Sequence, residues 1–378
     1  MVEVPPNLCK ICAFLSAHWT NVCNFARKMI RTINSWRGLM AVAVVLFHCE
    51  VGWSYNVAVS GVTFFFISST FLLVRRHPFE RITRSGYVRF VMEHASRLYP
   101  LHWLGLALLV LLALLRNTAV IDWGATALSA LLLQAWSPVH DVHYGLNPVA
   151  WYMSALLFCY IIYPFMAHWL GPWRFRYKAL LAIVLATVLA VTLFPLNIPQ
   201  REAIFVNPAS HVLDVTVGLT LFHLYRVLSD QLLQVSFSKA TLIEVGALLL
   251  LAIVITINVA TTWIRPWEDD IIWLLPQGAI LVAFALLAGR EGAVGRLLLC
   301  RPLQWLGSIS FEMFVLQFVA FLLFNFIISP VAGHFGWQIY DKLVWFALPL
   351  LILLSWGVNR CFTRPLFAAI KRRYADNG

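Results

Sequence analysis

Arg37 and His48 stand eleven positions apart in Ser35-Trp36-Arg37-Gly38-Leu39-Met40-Ala41-Val42-Ala43-Val44-Val45-Leu46-Phe47-His48, a stretch that is otherwise mostly apolar. Eleven residues of α-helix turn through about 20° more than three full turns and rise about 16 Å, so both side chains leave from nearly one face. The face presents a guanidinium, suited to bidentate binding of phosphate or carboxylate, and further along an imidazole. A neutral imidazole with an ordinary pKa near 6.5 takes a proton from a hydroxyl at neutral pH, or as a nucleophile carries an acyl group. Within hydrocarbon each residue costs about 2.5–3.5 kcal/mol when charged and unpaired, so the pair calls for a partner or a function. Three further polar residues stand in apolar segments. His211 and Asp214 are three apart and share a helical face, placed to line a substrate path or to pair with each other. Glu312 is placed to orient His48 or an arginine.

The elements that must position these residues are membrane spans. Of 378 residues 61% are hydrophobic and only 12% charged, against roughly 25% charged in soluble domains. The formal charge of +11 does not point to nucleic acid, because the basic residues sit in short loops beside apolar segments, the orientation signal of membrane insertion. Runs long enough for about 30 Å of hydrocarbon centre on 35–52, 58–74, 98–115, 147–168, 178–195, 208–226, 241–260, 271–289, 304–328 and 343–362. The fold class expected is an all-α integral membrane protein, a bundle of about ten transmembrane helices with both termini cytoplasmic.

The apolar stretch 125–134, bounded by Asp122-Trp123-Gly124 and Ser137-Pro138, is too short for a span and is expected to be interfacial or re-entrant. Charge supports that count. With ten spans, 24 of the 28 lysines and arginines fall on the cytoplasmic side, leaving only Arg116, Arg201, Arg265 and Lys342 outside. An eleventh span at 125–134 would put Arg174, Arg176, Lys178 and Lys371-Arg372-Arg373 outside, against the positive-inside rule. No internal repeat and no soluble second domain is evident. The chain divides into a cytoplasmic lead-in at 1–32, a transmembrane domain at 33–365 and a basic cytoplasmic tail at 366–378. Residues 1–30 lack a long apolar core followed by a small-residue cleavage site, so no removable signal peptide is expected.

No metal is expected. Cys9, Cys12, His18 and Cys23 approach a zinc spacing but lack glycines for a knuckle turn, and His140, Asp141 and His143 read as a solvated loop. Cys49, Cys159, Cys300 and Cys361 lie in apolar segments and read as small buried hydrophobes.

Three blocks in the first hundred residues carry a resemblance. Arg37-Gly38 followed by His48, then Gly61-Val62-Thr63-Phe64-Phe65-Phe66-Ile67-Ser68-Ser69-Thr70-Phe71-Leu72-Leu73, then Ser96-Arg97-Leu98-Tyr99-Pro100-Leu101-His102-Trp103 resemble the membrane acyltransferase-3 family, many of whose members O-acetylate glycans. Later blocks agree: Trp151-Tyr152-Met153-Ser154 running to Tyr163-Pro164, Asp214 with Gly218, and Gly307-Ser308-Ile309-Ser310-Phe311-Glu312-Met313-Phe314. The sequence departs from the family pattern at Thr63 (often Asp), Thr70 (often Gly), His94 (the first arginine of an Arg-x-x-Arg pair), Leu156 (often Glu) and Gln317 (often His).

The resemblance implies transfer of an acyl group, acetyl foremost, from a cytoplasmic acyl-CoA co-substrate to a sugar hydroxyl of an exopolysaccharide repeat or lipid-linked oligosaccharide, at the bacterial inner membrane. Arg37 with Arg75, Arg76, Arg89, His94 and Arg97 would clamp the CoA phosphates, and Tyr99 would shape the mouth. The pantetheine arm would carry the thioester up to His48 as general base, with an acyl-histidine intermediate the alternative. Trp151, Ser69, Asp214, His211 and Glu312 fall on the expected acceptor path. Two other readings stay open: a transporter or flippase for a glycolipid or anionic metabolite, with the histidine for binding or proton coupling, and an acyltransferase acting on a lipid or small alcohol.

Overall fold

The computed structural model describes residues 29–116, 121–229, 235–334 and 343–375. The cysteine and histidine group at 9–23 and Lys342 lie outside the described residues. The described chain is helical, without a strand. The helices used below are α1 (Met29–His48), α2 (Tyr55–Arg76), α3 (Arg84–Arg116), α4 (Trp123–Ala130), α5 (His140–His143), α6 (Ala150–Leu170), α7 (Phe175–Leu193), α8 (Ile198–Val206), α9 (Val212–Ser229), α10 (Phe237–Ala260), α11 (Ile271–Leu286), α12 (Ala293–Leu298), α13 (Arg301–Ser308), α14 (Ser310–His334), α15 (Leu343–Val358) and α16 (Arg364–Ala375).

Among the described residues nine helices are long and apolar enough to cross a membrane. The tenth expected segment, 271–289, forms α11, whose 16 residues reach about 24 Å and fall short of a full hydrocarbon core. From Pro276 to Leu286 nearly every α11 side chain is buried in protein, so lipid thickness does not set its length. The stretch at 125–134 yields the eight-residue α4, about 12 Å long and no span. Asp122 caps it, accepting from the Ala125 amide at 3.0 Å.

The centre of the bundle is α2. Its apolar window is 78% buried, against 11% for α7 and 17% for α10, which turn Val184, Val188, Leu242 and Leu249 outward as a lipid-facing surface needs. Helix α2 packs against α9 and α11. Gly218 permits the close α9 approach, since a Cβ there would lie 2.6 Å from Thr70 Cβ and 2.9 Å from the Ile67 carbonyl oxygen.

Helix α1 is held at fixed height by polar bonds to neighbours remote in sequence. Trp36 Nε1 donates to Gln277 Oε1 at 3.2 Å, and Gln277 Nε2 donates to Ser60 Oγ at 3.0 Å, joining α1, α11 and α2. Ser35 Oγ donates to the Leu298 carbonyl at 2.6 Å. At Gly38 a side chain would strike the backbone of Gly307, a Cβ lying 2.7 Å from its nitrogen, so glycine next to Arg37 is what lets α13 lie against α1. Buried polar groups satisfied across helices fix register where apolar packing alone is indifferent.

Candidate active site

Helix α1 feeds two cavities. The first, of about 230 Å³, is lined by Arg37, Arg97, Phe65, Tyr152, Tyr160 and Phe367, with other apolar residues and Phe314. Arg37 Nη2 donates to Ser69 Oγ at 2.6 Å, and Ser69 in turn donates to the Phe65 carbonyl one turn back at 2.6 Å. The guanidinium lies over the Phe65 ring, 5.8 Å from its centroid. Among the described residues no carboxylate stands within ion-pair distance of Arg37, so a half-buried cation keeps most of its five donors for an anion. Arg97, on α3, enters the same cavity but is partly committed: it pairs with Glu93 at 2.5 Å and lies over Phe367 of α16 at 5.9 Å.

The second cavity, of about 400 Å³, is lined by His48, Tyr55, Tyr144, Trp151, Glu202 and Asp269, with His140 of the loop read from the sequence as solvated, among apolar neighbours that again include Phe314. His48 Nδ1 lies 2.9 Å from the Val44 carbonyl oxygen. A carbonyl only accepts, so Nδ1 carries the hydrogen and the neutral ring keeps its lone pair on Nε2. Phe318 packs edge-on against the imidazole at 5.2 Å, and Gln317 from the same helix lies beside it, its Nε2 donating to the Phe314 carbonyl and its buried Oε1 without a hydrogen-bond partner. The family's histidine position is thus filled here by an amide that still meets the His48 ring. Tyr55 donates to Asp269 Oδ1 at 3.1 Å. Burial, with Glu268 and Glu202 nearby, pushes Asp269 up to about 6 against the opposing Tyr55 bond and Arg201.

One residue belongs to both chambers. Phe314 lines each of them, and with Phe65 at 6.0 Å and Tyr152 at 4.9 Å it forms an aromatic partition. One face of a single helix therefore serves two rooms, with Arg37 in one and His48 in the other.

The remaining expected residues are placed as follows. Trp151 lines the histidine cavity. Ser69 is the hydrogen-bond partner of Arg37. Arg75 and Arg76 end α2 in exposed positions, and Arg89 is exposed on α3, beside Arg84 in a shallow depression. His94 turns away from the arginine cavity. Its Nδ1 donates to the Phe90 carbonyl at 2.8 Å and its ring packs on Phe90 and Tyr160. Tyr99 donates to the Leu131 carbonyl at 3.0 Å, pinning α3 to the α4 turn. Glu312 accepts from Asn359 Nδ2 at 2.8 Å, so it bonds the turn that follows α15 and not His48. His211 and Asp214 meet each other at 2.7 Å and line neither cavity. In the outer loop His143 Nδ1 donates to the Ser137 carbonyl at 3.1 Å while His140 meets Asp141 at 3.1 Å.

Several lining residues were not anticipated. Glu202 and Asp269 come from loops and the short α8, and their only sequence signal was an acidic residue next to an apolar segment. Phe367 stands in the apolar start of α16, just inside the tail at 366–378 read as merely basic.

A family model described as an acyltransferase domain, of the acyltransferase-3 family, matches residues 30–360. No curated protein and no solved structure matches the chain.

Proposed function

The chain belongs to the acyltransferase-3 family, and from that premise we propose that this multi-pass membrane acyltransferase moves an acetyl group from a cytoplasmic acyl-CoA to a sugar hydroxyl of an exopolysaccharide repeat or lipid-linked oligosaccharide, in a bacterial inner membrane. The observation that carries the reading is the arrangement along α1: an arginine without a carboxylate partner among the described residues, in one cavity, and an imidazole with its lone pair on Nε2 in the next. An acyl-CoA has that polarity, phosphates at one end and a thioester at the other.

In the proposed reaction Arg37, with Arg97, holds the anionic part of the donor at the basic end, and the pantetheine arm passes Phe314. The acceptor sugar enters the second cavity, where aromatic rings (Trp151, Tyr144, Phe205) offer stacking faces and Glu202 and Asp269 accept from hydroxyls. His48 Nε2 takes the proton of the attacking hydroxyl as its oxygen bonds to the thioester carbon. The tetrahedral intermediate then expels sulfur, the C–S bond breaks, and the imidazolium returns the proton to the CoA thiolate. The Gln317 amide beside the ring offers a dipole to the positive charge of the transient imidazolium. Positioned base catalysis of this kind contributes on the order of 10²–10⁴ in rate.

The test is the acetyl content of surface glycan, by proton NMR, in a deletion strain complemented with the wild-type chain, with His48→Ala, or with nothing. His48→Ala at matched membrane abundance is expected to leave the glycan as bare as the deletion. Acetylation at the wild-type level would remove His48 from the chemistry.

A further inference from the structure

Outside both cavities the chain gathers one imidazole and two carboxylates into a closed, buried group. His211 ends the turn before α9, Asp214 lies in the first turn of α9, and Asp270 is the residue before α11. One ligand atom from each lies within 4.8 Å of the other two. His211 and Asp214 are 1% and 0% exposed, and Asp270 7%.

The hydrogen positions make the cluster informative. His211 Nε2 lies 3.0 Å from the Phe205 carbonyl oxygen. That oxygen only accepts, so Nε2 carries the hydrogen and Nδ1 of the neutral ring is a bare lone pair. Yet Nδ1 faces Asp214 Oδ2 at 2.7 Å. Two lone pairs at that distance need positive charge between them, supplied by a metal ion or by a proton on the Asp214 carboxyl. The other oxygen of the same carboxylate, Asp214 Oδ1, is fully buried without any hydrogen-bond partner, a costly state for a carboxylate in a dry interior.

We propose that His211, Asp214 and Asp270 bind a divalent first-row transition metal ion, Zn²⁺ or Mn²⁺. Ligands about 2.0–2.1 Å from such an ion and 2.7 Å apart subtend about 80° at the metal, a normal angle between adjacent ligands. Two carboxylates balance the ion's charge, and the imidazole nitrogen selects against Mg²⁺ and Ca²⁺, which favour oxygen. The surroundings have the form that metal sites take. The imidazole gives its other N–H to a backbone carbonyl, fixing the tautomer, and Asp270 Oδ1 accepts from Thr63 Oγ1 of α2 at 3.1 Å. The ring itself is held flat against Phe66, with centroids 3.9 Å apart, and lies parallel to Trp151. The ion would tie the start of α9 to the start of α11 beneath the wall that Trp151 and Phe205 contribute to the histidine cavity. This site is independent of the acyl-transfer reading.

The test uses the full chain, purified in detergent through a tag without histidines and without chelator, with metals counted by inductively coupled plasma mass spectrometry. Wild type is expected to carry stoichiometric Zn²⁺ or Mn²⁺, and Asp214→Asn and Asp270→Asn to lose it. Thr63→Val, which removes only the supporting hydroxyl, should weaken affinity roughly 10–100-fold. Should the asparagine variants fail to fold, the wild type still decides: after dialysis against EDTA its Tm should fall, and recover with Zn²⁺ or Mn²⁺ but not with Ca²⁺. Wild type without bound metal, or metal content unmoved by the substitutions, would overturn the proposal and leave the three side chains holding shared protons only.

Discussion

Arg37→Lys separates donor binding from chemistry. Arginine offers five N–H groups in a plane, and Arg37 spends one on Ser69 at 2.6 Å, leaving about four for the donor's phosphates. Lysine keeps the charge but has three donors on a flexible stem, so one that still satisfies Ser69 brings about two. A charge-assisted hydrogen bond is worth about 1.5–3 kcal/mol. Losing even one of those bonds, at about 1.4 kcal/mol per decade, raises KM for the acyl-CoA roughly 10–150-fold. Because the phosphates lie far from the reacting carbon, the contact is the same in ground and transition states and kcat should hold. The assay is release of CoA thiol by inside-out membrane vesicles containing the native acceptor, across a range of acetyl-CoA concentrations. Arg97→Lys supplies an internal comparison, expected to cost less because Arg97 already pairs with Glu93. A fall in kcat at unchanged KM for Arg37→Lys would refute the assignment of this residue to the donor's anionic end.

Three further outcomes follow from the packing. Phe314→Ala opens the partition between cavities of about 230 and 400 Å³, so activity with butyryl-CoA relative to acetyl-CoA should rise, measured by the same thiol release; an unchanged ratio would mean the ring does not meet the acyl group. Phe367→Ala removes the ring under Arg97, and with it a cation–π contact of about 0.5–1 kcal/mol, so KM for the donor should rise about two- to fivefold while Tm stays at the wild-type value. Gly218→Ala forces a methyl to within 2.6 Å of Thr70 Cβ, an overpacking cost of about 1–3 kcal/mol that should lower Tm in detergent. Thr70→Gly in the same chain should recover part of that loss, and failure to do so would place the damage elsewhere.

Much of this was legible in the residues. Length and polarity are local properties, so nine of the ten apolar runs form span-length helices among the described residues, the run at 271–289 forms the shorter α11, and the short stretch at 125–134 forms no span. The helical arithmetic relating Arg37 to His48 is also local, and so are the blocks that carry the family resemblance. The residues around them were harder to read. His94 has an arginine's place in the motif but an imidazole's reach, and it folds back on Phe90. Glu312 bonds Asn359, a residue 47 positions away. Glu202, Asp269 and Phe367 are brought to the cavities by the short α8, a loop and the amphipathic α16, whose docking partners their own sequences do not name.

The physical reason lies in the solvent. In a soluble helix the polar face marks the outside, but in a membrane the lipid-facing side is as apolar as the packed side. Thus α7, α10 and α2 read alike as hydrophobic runs, and only the assembled bundle shows that α2 is its core and the other two its rim. By itself the sequence determined a helical membrane acyltransferase with an arginine and a histidine on one face of its first helix. Tertiary structure alone decided that Phe314 divides that face into two chambers, that His48 keeps its lone pair on Nε2, and that residues from α9 and α11 meet around a buried imidazole. Each of these depends on which side chains from remote segments meet, and a hydrophobic run does not encode its partners.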